Sequence, residues 1–121
     1  MLQSLNLKQL QNIINKANIP VLIMFRTPWC KMCDVDDLII NKIQQSHKNE
    51  FICFCIDVEA NKLWRENNNQ YFKIDKVPYY IIYYQKKIIF KSDKPITEYQ
   101  LSSILESIKK ANNDKDDLNN N

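Results

Sequence analysis

The sequence predicts an α/β fold, a mixed central β-sheet with helices on both faces, and three observations carry that expectation. Apolar runs of strand length, such as Val21-Leu22-Ile23-Met24-Phe25 and Phe51-Ile52-Cys53-Phe54-Cys55-Ile56, read as strands buried on both sides. Stretches with helical apolar spacing alternate with them. The early strands are separated by crossover-length segments and the last two by a hairpin-length one, which implies parallel pairing first and antiparallel pairing last.

Asn6 and Gln9 have capping-box spacing, and Leu5 with Leu10 has that of the hydrophobic staple. Leu7, Leu10, Ile13 and Ile14 then share a helical face, and Pro20 ends the segment. The next helix is expected to begin at Cys30 and Cys33, with Val35, Leu38, Ile39 and Ile43 turned inward. A helical turn or two is expected around Leu63 and Trp64, between Glu59 and Asn69. After Val77-Pro78, residues 79–84 form a strand whose connection through Gln85 and Lys86 leads to Ile88-Ile89-Phe90 as hairpin partner. Thr97 with Gln100 repeats the capping box and Ile96 with Leu101 the staple, ahead of a last helix carrying Leu101, Ile104, Leu105 and Ile108 inward. The expected order is a short β, then α, β, α, β, α, β, β, α. Residues 1–111 are read as one domain and 112–121 as a disordered polar tail with nothing to bury.

With 121 residues and 45% hydrophobic content, the chain suits one domain with one core. No apolar run is long enough to span a bilayer, and residues 1–6 do not read as a signal peptide. A cytoplasmic setting is therefore expected, where cysteines serve catalysis or metal binding more than structure. The net charge of +3 is dispersed, with no basic stripe for nucleic acid. A monomer without a cofactor is expected, and the lone His47 reads as a surface residue. Glycine is absent, so every turn needing positive φ must use a residue with a Cβ.

The chemistry concentrates at Trp29-Cys30-Lys31-Met32-Cys33. Two thiols spaced by two residues at a helix start can close a small disulfide. The first would meet unpaired N–H groups and the positive helix end, which favour a thiolate. The second, one turn on, would be placed to attack a mixed disulfide made by the first. Lys31 favours ionised Cys30, while Asp34, Asp36 and Asp37 oppose it. Zinc is the competing reading, because Cys30, Cys33, Cys53 and Cys55 make up a four-thiolate complement. Against it, Cys53 and Cys55 lie inside an apolar strand, where cysteine commonly acts as a small hydrophobe.

A buried strand, then Arg26-Thr27-Pro28-Trp29, the cysteines and a helix closely resembles the thioredoxin family. Residues 72–78, Phe-Lys-Ile-Asp-Lys-Val-Pro, resemble that family's segment before its cis-proline, and the likeness spans essentially Leu5 to Lys110. It implies a thioredoxin-like fold and a thiol–disulfide oxidoreductase, with Cys30 as nucleophile and Cys33 as resolving thiol. Trp29 would be an active-site shelf, and Val77 with Pro78 the substrate-docking edge. Disulfide-containing client proteins and a thioredoxin-reductase-type electron donor are the implied partners.

This sequence also departs from the family. Lys31-Met32 replaces the usual Gly-Pro, and Met24 replaces a buried aspartate that helps deprotonate the resolving cysteine. Cys53 replaces that aspartate's lysine companion, so both halves of a buried charge pair are exchanged together. Lys73, Lys76 and Lys94 stand where glycines are usual, and would ring the docking groove. A glutaredoxin-like protein is disfavoured by the missing glycines and by Trp29. A binding module that keeps the fold without redox turnover is supported by the lost charge pair and opposed by the retained cysteines.

Overall fold

The computed structural model describes residues 2–64 and 74–119, with side chains through 112. Its elements are α1 (Leu7–Lys16), β1 (Val21–Arg26), α2 (Lys31–Ser46), β2 (Ile52–Asp57), β3 (Tyr79–Tyr84), β4 (Lys87–Ser92) and α3 (Glu98–Asn119). The strands form one sheet ordered β2-β1-β3-β4. β1 pairs parallel with β2 and antiparallel with β3, and β3 pairs antiparallel with β4. The expected short first strand is a single parallel bridge, Ser4 with Cys55, closed by N–H donation from Leu5 to the Cys55 carbonyl and from Cys55 to the Gln3 carbonyl.

Every residue of β1 is buried, as a central strand flanked on both faces requires. Its side chains alternate between two cores. Leu22 and Met24 join Ile40 and Ile43 of α2 and Leu101 and Leu105 of α3. Val21, Ile23 and Phe25 join Leu10 of α1, with Val58, Leu63 and Ile74 from the connecting segments.

Asn6 and Gln9 exchange both capping-box hydrogen bonds at α1, and Thr97 and Gln100 do so ahead of α3. Positive φ falls on Asn49, Lys62, Gln85 and Lys86, so the β3–β4 turn is made by two residues with Cβ atoms in the left-handed region. Around Leu63 the described chain forms turns rather than a helix. The Leu63 N–H reaches back five residues to the Val58 carbonyl, and Lys62 at φ 53° breaks the repeat. The remainder of the helical segment expected up to Asn69 lies outside the described residues.

The inner face of α2 is corrected, and α3 extends to Asn119. No proline or glycine stops it, each added residue gains a backbone bond, and Asn112 exchanges hydrogen bonds with the Tyr84 hydroxyl. In α2, Val35, Leu38 and Ile39 face outward, and the buried face is Cys33, Asp36, Asp37, Ile40 and Ile43. Residues 33, 36, 37 and 40 share a helical stripe, so burying Cys33 fixes the face. The two carboxylates come with it because partners await them below.

Candidate active site

The apolar, central β1 delivers the chain to one end of the sheet, where Thr27, Pro28 and Trp29 lead it into α2. Cys30 is the N-cap of that helix, and its Sγ accepts the Cys33 N–H at 3.1 Å. A thiolate at this atom would receive the same bond and the helix dipole. Cys30 and Cys33 form a disulfide with Cα atoms 5.2 Å apart. Cys30 is 8% exposed and Cys33 0%, so the first sulfur is the more approachable.

Trp29 is 65% exposed, which excludes a core role, and its Nε1 donates to Glu59 at 3.0 Å. Val77-Pro78 is a cis peptide at the start of β3, with Pro78 buried and Val77 half-buried. Tyr79 pairs with Phe25, so Pro78 lies at the sheet end where β1 leaves for the cysteine helix. The fold thus brings Trp29, Cys30, Cys33, Val77 and Pro78 to one edge of the domain. Of the three lysines, Lys76 is paired with Asp93 at 2.8 Å, Lys94 is exposed, and Lys73 lies outside the described residues.

Met24 is fully buried, in register with Cys55 on one side and Tyr80 on the other. Sequence reasoning missed the polar groups packed against this core. The Tyr80 hydroxyl donates to Asp36, and Arg26 pairs with Asp34 and with Asp37, the latter at 3.6 Å. Asp37 also accepts the Leu2 N–H at 2.9 Å. The available signal was spacing: Asp36 and Asp37 stand three and four residues after Cys33, on its helical face.

Cys53 and Cys55 are buried on β2. Burial pushes the Cys53 thiol up to about 12, with the charge of Asp37 adding to it, and raises Cys55 for the same reasons. Such thiols are poor nucleophiles at neutral pH. Among the described residues no group of three or more His, Cys, Asp or Glu could hold a metal, and the four cysteines do not converge. No helix among them is long and apolar enough to cross a membrane.

A mixed sheet presenting a helix-start disulfide beside a strand-opening proline defines a thiol–disulfide oxidoreductase domain. The Thioredoxin family model matches residues 1–109, and the chain belongs to the thioredoxin family. Chloroplastic thioredoxin z, whose crystal structure is described as defining a type-specific target recognition, superposes with a TM-score of 0.75 at 17% identity, over 89% of this chain and 94% of that one. A mutant thioredoxin from Halobacterium salinarum superposes at 0.70 with 16% identity, over 87% and 88%. At these identities the likeness is one of fold. No curated protein matches the sequence significantly.

Proposed function

We propose that the protein exchanges disulfides with protein substrates, with Cys30 as attacking thiol and Cys33 as resolving thiol. The observation that carries this reading is the disulfide at the helix start, its N-cap sulfur approachable and its partner sealed. Reduced Cys30 attacks a client disulfide and forms a mixed disulfide; Cys33 then attacks Cys30, releasing the client as a dithiol and closing Cys30–Cys33. Exposed Trp29 and the Val77-Pro78 edge flank that sulfur as the docking surface. A thioredoxin-reductase-type donor returns the pair to the dithiol.

Trapping tests it. Cys33→Ser should accumulate a mixed disulfide with client proteins, and Cys30→Ser should abolish it. Brief alkylation of reduced native protein should label Cys30 ahead of Cys33, Cys53 and Cys55. If neither substitution changes disulfide reduction, the exchange reading is wrong and the domain docks partners without turnover.

A further inference from the structure

Resolution of a mixed disulfide needs the Cys33 proton removed, and Met24, buried on β1, brings a thioether that cannot take it. We propose that Asp37 is the proton acceptor of the Cys33 thiol, a carboxylate supplied by the cysteine helix itself. This rests on the exchange reading above and adds the residue that makes its second step fast.

Cys33 and Asp37 stand four residues apart on the buried stripe of α2, 0% and 2% exposed. At that spacing the two Cβ atoms lie about 5–6 Å apart on one face of the helix. The Asp37 oxygens are differently engaged. Oδ1 takes the Leu2 N–H and fixes the group's orientation. Oδ2 is buried and accepts no hydrogen bond among the described residues, although Arg26 Nη1 stands 3.6 Å away as countercharge. Oδ2 is thus a buried carboxylate oxygen with no hydrogen-bond donor, carried one helical turn from a buried thiol, and it is the free acceptor on that stripe. Asp36 shares the stripe, but its Oδ2 is taken by Tyr80.

The proton also has an exit. A cavity of about 320 Å³ is lined by Arg26, Asp34, Asp37, Cys55 and Asp57. Cys33 does not line it, so a proton on Asp37 can leave for water without crossing the docking face.

In the step, the Cys33 S–H bond breaks and its proton moves to Asp37 Oδ2. The Cys33 sulfur donates an electron pair to Cys30 Sγ and forms the internal disulfide. The bond from Cys30 to the client sulfur breaks, and the client leaves as a thiolate that takes a proton from water. Asp37 returns its proton to the cavity. The enzyme dithiol is oxidised by two electrons and the client disulfide reduced by two.

The charged and titratable groups facing Asp37 are Arg26 from β1, Cys53, Cys55 and Asp57 from β2, and Asp34 and Asp36 on its own helix, with Tyr80 from β3 bonded to Asp36. The test uses full-length reduced protein mixed rapidly with 5,5′-dithiobis(2-nitrobenzoate), which releases one chromophore on Cys30 attack and a second on Cys33 resolution. Asp37→Asn keeps an oxygen for the Leu2 N–H. It should leave the first release within about twofold and slow the second about 100-fold near pH 6.5, the gap closing above the usual thiol value of about 8.5. Asp36→Asn should slow the second release far less. In wild type, which needs no variant to fold, the second step should be nearly flat between about pH 6 and 8. A tenfold rise per pH unit in wild type, or an unchanged second release in Asp37→Asn, overturns the assignment while leaving exchange intact. Persistence of both releases in Cys30→Ser would instead overturn the exchange reading.

Discussion

Tyr80 of β3 donates its hydroxyl to Asp36 of α2, closing a polar contact within the core that surrounds Met24. Each group satisfies the other: the phenol would lack an acceptor in an apolar core, and the carboxylate would lack a donor. The pair also ties the cysteine helix to a central strand.

Tyr80→Phe should therefore cost about 1–3 kcal/mol in a denaturant melt, since the buried carboxylate loses its donor. Adding Asp36→Leu should recover part of that loss. Burial, and secondarily the Asp36 bond and charge, raise the Tyr80 pKa well above its ordinary value. For an acid whose folded value is raised, stability is fully present below the unfolded value and falls as pH climbs past it. Wild type should lose stability above about pH 10, and Tyr80→Phe should show less of that slope.

The same sign applies earlier in pH to the β2 thiols. Burial, with the charge of Asp37 adding to it, pushes the Cys53 thiol up to about 12, against about 8.5 for an open chain. Stability should decline from about pH 8.5 upward, and Cys53→Ala should flatten that decline. An equal slope in both proteins, read from urea midpoints between about pH 7 and 10, would disprove the burial effect.

Met24→Asp would place a carboxylate in the core it shares with Cys53, Cys55 and Tyr80, where desolvation opposes ionisation. Its folded pKa should rise above about 3.9, so stability is lost as pH increases from the unfolded value. The variant should be destabilised by about 2–4 kcal/mol more at pH 7 than at pH 4. Equal midpoint shifts at the two values would contradict that burial.

The orientation of α2 predicts unequal costs for similar residues. Leu38→Ala, at a 67% exposed site, should change stability by about 0.5 kcal/mol or less. Ile40→Ala, at 2%, should cost about 2–5 kcal/mol. The reverse ranking in chemical melts would restore the helix face expected from apolar spacing.

Lys86 adopts φ 67° at the hairpin turn, where a Cβ crowds the neighbouring carbonyl. Lys86→Gly should stabilise by about 1 kcal/mol and raise Tm by about 4 °C, measured by thermal circular dichroism.

By itself the sequence determined the strands, both capping boxes, the hairpin and the cysteine pair at a helix start. These depend on neighbours within about five residues: apolar runs, cap spacings, a proline. The place of Cys30 and Cys33 at a helix start and of Pro78 ahead of a strand was legible for the same reason, from the residues on either side. The inner face of α2 was not. Val35, Leu38 and Ile39 offer as apolar a stripe as any, and only packing Cys33 inward chooses Asp36 and Asp37 instead. That choice is tolerable because three distant partners arrive together: Arg26 from β1, the Leu2 amide 35 positions before Asp37, and Tyr80 44 positions after Asp36. Burying a carboxylate is costly until its donors are in place, and tertiary structure alone puts them there.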